Sequence, residues 1–345
     1  LLERLVAADA LVSEVTTVLP HSRRYLRLRA ALNQYRLIRD KGGWPMIGAG
    51  ETILPGESDD RLETVAARLA ATGDLDGSRG SGIRYDDELI AAVQRFQRRH
   101  GLPADAKIGP ATRRAMNVTV DARINQLRVN LERSRWSADI TGDDVVRVNV
   151  PAYRAELIRD GSVVATTRVI VGQPDTETPA LCSEIRYIVL NPTWTVPYSI
   201  ASEELLGIIQ SDPGYLARGG YKVIDRDGRT VDAGAVDWQE LAPGNFPYTL
   251  VQQPGPRNQL GQLKFVFPNA FSVFMHDTAA RSLFEQPGRA LSHGCIRVDQ
   301  PVALAAELLR EEGWSRQALD AQIDSGETRT CLLYTSDAAD DTSEV

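Results

Sequence analysis

Apolar residues recur at helical spacing through the first 45 positions (Leu5, Val6, Leu11 and Val12, then Leu26, Leu28, Leu32 and Leu37), which predicts helices there. Gly42, Pro45, Gly48, Gly50, Pro55 and Gly56 then break the pattern and mark a boundary. Two more helices are predicted over residues 60–71 and 86–100, the second gathering Leu89, Ile90, Val93, Phe96 and Gln97 on one side. Gly101-Leu102-Pro103 stops that helix, and a short one restarts after Ile108-Gly109 with Pro110 near its first turn. A further amphipathic helix is expected over residues 121–135, with Ile124, Leu127 and Leu131 on one stripe and Trp136 at its end.

Beyond Trp136 the period changes from helical to alternating. Val146, Val148 and Val150 alternate with polar residues, and Asp160-Gly161 lies between Leu157-Ile158 and a β-rich run over residues 163–171, the signal of a tight hairpin. Strands are also predicted over residues 185–190, 263–267 and 271–275. Residues 199–245 interrupt them with Leu205, Leu206, Ile208 and Ile209 at helical spacing and then a Gly-rich polar loop, which reads as an inserted lid. The fold class is therefore α+β: a helical scaffold over residues 1–45, a helical module over 46–120, and a β-rich domain over 121–330.

Composition adds limits rather than elements. With 345 residues, 43% hydrophobic and 25% charged, the chain can build ordinary globular cores in two or three domains. A net charge of −7 and a pI near 5.3 argue against a nucleic-acid partner. The local basic run Arg95, Arg98, Arg99 and His100 reads as a solvated helix face. No stretch approaches the ~20 apolar residues of a membrane span. The chain begins Leu1-Leu2-Glu3 without Met, so an export signal is expected to precede this fragment. Three cysteines, Cys182, Cys295 and Cys331, cannot pair without a remainder, and Cys182 is expected to be an inert packed thiol. Composition shifts abruptly over residues 331–345, which read as a non-native tail outside the fold.

Candidate chemistry concentrates in residues 271–301. A thiol is a useful nucleophile only as thiolate, and a neighbouring imidazole supplies that state by taking the proton. Two of the four histidines, His276 and His293, lie within twenty residues of Cys295. The alternating run before His276 places it at the end of a strand, and Ser292-His293-Gly294-Cys295 forms a tight turn ahead of a helix that Asp299 and Pro301 can start. Glycine before the thiol lets substrate approach backbone, and N–H groups of such a turn can hold an oxyanion. One Cys and two His are not a zinc ligand set, so no metal and no cofactor are expected.

Two resemblances follow from these residues. Residues 92–117 resemble the three-helix peptidoglycan-binding domain, with its Phe-Gln helix, His-Gly-Leu turn and Ile-Gly-x-x-Thr helix. A module of that kind can also serve as a spacer. The family usually has Asp-Gly where this chain has Asp105-Ala106-Lys107, so a different turn is expected there.

The segment from His276 to Arg297 is similar to the signature of the YkuD-type L,D-transpeptidase catalytic domain: His, fifteen residues (277–291), Ser-His-Gly-Cys, an apolar residue and Arg. Gly172, Thr178-Pro179, Asn191-Pro192-x-Trp194-x-Val196-Pro197 and Pro256-x-Asn258-x-Leu260-Gly261 resemble further elements of that domain, and the lid and binding module resemble its YcbB-like branch. The resemblance implies Cys295 as nucleophile, His276 as general base, His293 as support for the turn, and Gly294 with Cys295 as oxyanion donors. Arg297 would orient the turn or meet a substrate carboxylate, and Trp194, Asn191, Asn258 and Ser292 would contact substrate, although Trp194 reads more readily as a core or cleft-wall aromatic.

It further implies peptidoglycan stem peptides as substrate, other wall-synthesis enzymes as partners, a periplasmic site of action and acylation by carbapenems. The implied reaction joins third-position residues of two stems through a thioester. L,D-carboxypeptidase activity, lipoprotein anchoring and an inactive wall-binding protein remain open beside it. In this family a strand normally follows a helix like that over residues 318–323, and the fragment is expected to end before it, at a cost in stability.

Overall fold

The computed structural model describes residues 23–77, 84–136 and 144–333, and the chain divides into two compact units, residues 1–141 and 142–345. The expected helices over residues 1–22 lie outside the described residues.

In the first unit, α1 (Arg23–Asp40) packs along a later helix, here called α5 (Val120–Trp136). Their shared core is Tyr25, Leu32, Val120, Ile124 and Leu131, with Leu28, Tyr35 and Ile38 at its edge. The expected stripe on α1 is thereby corrected, since Leu26 and Leu37 are exposed and the aromatic residues replace them. Helix α5 also moves the domain boundary: its apolar stripe is satisfied by α1, so it belongs to the first unit and not to the β-rich domain.

Between these two, α2 (Arg61–Ala71), α3 (Asp87–Arg99) and α4 (Pro110–Met116) enclose a separate core of Leu62, Val65, Leu69, Leu89, Val93, Phe96, Ile108 and Met116. The Asp86 carboxylate caps α3 by accepting the Leu89 N–H at 3.0 Å, and Pro110 opens α4 where its missing N–H is harmless. Gln97, placed by its spacing among apolar residues, is buried because its amide closes the following turn: Nε2 donates to Asp105 Oδ1, Lys107 O and Thr112 Oγ1, and Oε1 accepts from Ala106 N. That turn holds Ala106 at φ 61°, a left-handed conformation costing about 1–2 kcal/mol for an L-residue with Cβ. The basic run on α3 is not simply solvated. Arg95 donates to Asp74 O and Arg99 pairs with the Asp74 carboxylate, while His100 stacks on Phe96 at 3.9 Å between ring centroids.

The second unit is built on one curled sheet with strand order β1-β2-β3-β12-β10-β9-β4-β13, to which β11 adds beside β3. In chain order these strands are β1 (Asp144–Asn149), β2 (Arg154–Arg159), β3 (Ser162–Gly172), β4 (Tyr187–Leu190), β9 (Leu263–Val266), β10 (Met275–His276), β11 (Ala290–Ser292), β12 (Ile296–Val298) and β13 (Arg329–Leu332). The β2–β3 turn carries Asp160 and Gly161 at φ 49° and 69°, the left-handed pair that the Asp-Gly signal predicts. Period-two alternation sends Val169, Val171, Ile188, Leu190, Leu263, Phe265, Met275, Ile296 and Val298 to one face. Helices α8 (Pro301–Leu308) and α9 (Arg316–Asp324) cover that face with Leu304, Ala305, Leu319 and Ile323.

Strand β13 corrects two expectations. The strand after α9 is present, pairing antiparallel with β4, and Cys331, expected in a tail outside the fold, is buried opposite Ile188. Cys182, expected to be packed, is exposed. Residues 271–274 form no strand, and Ser272 sits at φ 55°.

The insertion is larger than residues 199–245. It runs from β5 (Trp194–Thr195) through a π-helical turn, Ile200–Leu205, α6 (Leu206–Ser211) and α7 (Tyr215–Arg218) to β6 (Tyr221–Ile224), β7 (Thr230–Val231) and β8 (Thr249–Gln252). These strands pair as β5-β8-β6-β7 around a core of their own, including Val196, Leu206, Ile209, Val223, Trp238, Phe246 and Leu250. No helix among the described residues is long and apolar enough to cross a membrane.

Candidate active site

Strand register fixes which side chains share the face opposite the main core. Lys264 on β9 pairs with His276 on β10, and His276 pairs with Arg297 on β12, so the three form one row across adjacent strands. Cys295 stands one residue before Ile296, whose partner is Met275, so alternation puts its thiol on the same face, diagonal to His276. The Ile296 N–H donates to Phe274 O at 3.0 Å and anchors this end of the pairing. His276 is buried, whereas Cys295, Lys264, Phe274 and Arg297 are partly exposed.

Each group has a defined electrical state. The Nδ1 of His276 lies 2.5 Å from Asp277 O. A carbonyl can only accept, so Nδ1 carries the hydrogen and Nε2 keeps its lone pair. Burial pushes the His276 pKa down to about 3, and the Arg297 and Lys264 cations push the same way, so the imidazole is neutral. Burial raises the Cys295 thiol above its ordinary value, opposed by the Phe274 N–H, Lys264 and Arg297. At rest the pair is a neutral thiol and a neutral base, with two cations placed to stabilise sulfur once its proton leaves.

The turn bearing Cys295 is built by hydroxyls. Ser292 Oγ donates to Cys295 O at 2.6 Å and accepts the Gly294 N–H at 3.2 Å. Ser292, expected as a substrate contact, is an internal brace of the turn and 2% exposed. The Gly294 N–H, expected as an oxyanion donor, is engaged in that brace, whereas the Cys295 N–H has no acceptor among the described residues. Gly294 is needed for its backbone, at φ 110°. From below, Gln173 N and Thr176 Oγ1 donate to Ser292 O, and Thr178 Oγ1 donates to Gly294 O at 2.8 Å. The turn leads through the short strand β12 to helix α8, which starts at Pro301 as expected.

His293 reaches the insertion. Its Nε2 meets Glu204 Oε1 at 2.9 Å, joining the turn to the π-helical turn of the insertion. Trp194 packs against the insertion core, 6.5 Å from the Tyr221 ring.

Asn191 and Asn258, expected as substrate contacts, serve in the structure as clasps. Asn258 Nδ2 donates to Pro192 O and Gln253 O, both at 3.0 Å, tying together the two strands of chain that enter and leave the insertion. Asn191, left-handed at φ 49°, donates to the carbonyls of Gln322, Ile323 and Glu327 at 3.0–3.2 Å and so holds the end of α9. Asn191→Ala should lower stability by about 2–4 kcal/mol, because buried carbonyls lose their donor and alanine must take a left-handed backbone. Denaturant unfolding checks this. A raised KM at unchanged stability would restore the substrate-contact role.

Sequence reasoning missed Lys264, Glu204 and the loop donors Gln173 and Thr176. Lys264 was accessible in principle, as the one charge in the alternating run Leu263-Lys264-Phe265-Val266-Phe267.

Residues 143–312 match the YkuD family, described as the L,D-transpeptidase catalytic domain, and residues 58–116 match the family described as "Putative peptidoglycan binding domain". A Haemophilus influenzae protein described as "Putative L,D-transpeptidase" is 34% identical over 208 residues, covering 60% of this chain and 42% of that protein. The chain thus spans less than half the length of this curated relative. A crystal structure of an L,D-transpeptidase from Stackebrandtia nassauensis aligns over 84% of this chain and 97% of that one, at 14% identity and a TM-score of 0.27. One from Xylanimonas cellulosilytica aligns over 83% and 99%, at 14% identity and a TM-score of 0.20. By its family matches, this chain carries a YkuD L,D-transpeptidase catalytic domain behind a peptidoglycan-binding domain.

Proposed function

We propose that the chain is a periplasmic L,D-transpeptidase that cross-links third-position residues of peptidoglycan stems through a thioester on Cys295. The observation that carries this reading is the shared face of Cys295 and His276, with the imidazole held in the tautomer that leaves Nε2 free to take a proton. In the first step the thiol proton passes to His276 Nε2 and sulfur bonds to the carbonyl carbon of the third-position residue. The developing oxyanion is met by the Cys295 N–H. Collapse breaks the C–N bond, and the imidazolium returns its proton to the departing amine of terminal D-Ala. A side-chain amine of a second stem then attacks the thioester, gives its proton to His276 and expels the thiolate. Water in place of that amine would make a carboxypeptidase.

The helical module over residues 58–116 would bring the domain to the wall, its substrate. Incubation with purified muropeptides followed by mass analysis tests the reaction, and a dimer joined between third-position residues is expected. Intact mass after carbapenem treatment should show one adduct on the wild type and none on Cys295→Ala. An adduct on both, or on neither, would overturn the role of Cys295. Sacculus binding that Cys295→Ala leaves intact, without turnover in either protein, would support the inactive wall-binding reading.

A further inference from the structure

Residues 269–274 also touch the Cys295 sulfur, and they carry no titratable group. Asn269 organises that loop with a single amide. Its Nδ2 donates to Phe267 O at 2.9 Å and Val273 O at 2.6 Å, and its Oδ1 accepts the N–H groups of Phe271 at 3.0 Å and Val273 at 3.1 Å. Both partners of the nitrogen are carbonyls and both partners of the oxygen are N–H groups, so one orientation of the amide satisfies all four. Val273 is buried with both of its backbone polar groups bonded to Asn269, and Ser272 before it is held left-handed at φ 55°.

A trans peptide unit points its C=O and its N–H in opposite directions. The unit joining Ser272 to Val273 gives its N–H to Asn269, and its carbonyl faces the thiol, with Ser272 O 4.0 Å from Cys295 Sγ. The unit joining Val273 to Phe274 gives its carbonyl to Asn269, and its N–H faces the sulfur. One side chain therefore grips two successive peptide units by the ends that point away from Cys295. The two contacts favour opposite states of sulfur, since a carbonyl accepts only from the thiol and an N–H donates best to the thiolate. The N–H contact outweighs the other: a hydrogen bond to an ionised group is about twice as strong as a neutral one, and 4.0 Å is long for the thiol contact. Donation from Nδ2 into the Val273 carbonyl also polarises that unit and strengthens its N–H as a donor. Phe274 O is held separately by the Ile296 N–H at 3.0 Å, so Asn269 supplies the second fixed point that orients this residue.

We propose that Asn269 is a positioning residue that aims the Phe274 N–H at the Cys295 sulfur and so stabilises the thiolate as it forms. This rests on the acyl-transfer reading above and deepens it, by assigning part of the thiol's activation to a side chain that acts only through the backbone.

Asn269→Leu keeps a similar volume and removes the amide. In the full chain the ultraviolet thiolate absorbance of Cys295, taken as the difference from the matching Cys295→Ser protein, should reach its midpoint about one pH unit higher in Asn269→Leu than in the wild type, about a tenfold smaller thiolate fraction at neutral pH. His276, Lys264 and Arg297, which face the sulfur, and the His293–Glu204 pair on its turn are unchanged in the variant, so the shift reports the loop. Acylation by a carbapenem should slow by about the same factor. An unmoved or lowered midpoint overturns the proposal, and a lowered melting temperature beside it leaves Asn269 as a clasp of the loop alone. Unslowed acylation despite a raised midpoint overturns it too, because the contact would then play no part in the reaction. A measurement on the wild type needs no variant to fold: the amide proton and nitrogen resonances of Phe274 should titrate with the Cys295 midpoint, and a Phe274 amide indifferent to the thiol overturns the proposal. The titration uses no wall substrate. A wild type that gives no carbapenem adduct therefore removes the acyl-transfer reading, while the contact between Asn269, Phe274 and sulfur stands or falls on the midpoints.

Discussion

Replacing His276 with glutamine should slow acylation of Cys295 by a carbapenem about 10²–10⁴-fold, the usual contribution of a positioned proton acceptor. Glutamine keeps a hydrogen bond to the Asp277 carbonyl within reach but offers no basic nitrogen. The pH profile separates loss of a base from loss of packing. In the wild type the imidazole pKa is pushed down to about 3 by burial and then by Arg297 and Lys264, so Nε2 is available throughout the neutral range. The acylation rate should therefore be level from about pH 5 to 8, with no inflection near the ordinary histidine value of about 6.5. In the variant the thiol must release its proton to solvent, and burial holds its pKa above the ordinary value. Its rate should then climb about tenfold per pH unit through the same range, as the thiolate fraction does. A wild-type inflection near 6.5, or parallel profiles for the two proteins, would refute the base assignment.

The sequence displays the alternation, hairpin and helix signals of the fold because each depends on neighbours in the chain. Asp160-Gly161 lies in the predicted hairpin, and the Gln97 helix builds the expected module. What stayed hidden depends on pairing between distant segments. The partner of β12 is β10 by a parallel crossover, so the row Lys264–His276–Arg297 emerges only once register is known. The same holds for His293, whose place in the Ser-His-Gly-Cys turn suggests chemistry at the thiol, while its imidazole meets Glu204 on an insertion some ninety positions earlier. Asn191 and Asn258 show the converse case. Polar residues within a family-like motif suggest substrate contacts, but each amide is consumed by buried carbonyls that no local pattern reveals.

Gly172→Ala should be the most damaging substitution that leaves every reacting group unchanged. Gly172 ends β3 where residues 176–178 cross it, and a Cβ there would overlap the Thr176 carbonyl oxygen and stand 2.6 Å from Thr178 N and 2.8 Å from the Glu177 carbonyl carbon. These are backbone atoms, so no rotamer change relieves the clash and the loop itself must shift. That loop supports the Cys295 turn: Thr176 Oγ1 holds Ser292 O at 3.1 Å, Thr178 Oγ1 holds Gly294 O at 2.8 Å, and the Gly172 N–H donates to Thr178 Oγ1 at 2.9 Å. Displacing it by about 1 Å misplaces the thiol relative to His276 and should cost about 10²-fold in acylation rate. Overpacking should also lower stability by about 1–3 kcal/mol. Thr178→Val separates the two effects, since it keeps the loop backbone and removes only the hydroxyl, and should fall between Gly172→Ala and the wild type. If Gly172→Ala acylates at the wild-type rate, the Cys295 turn does not depend on this crossing and is held by Ser292 alone.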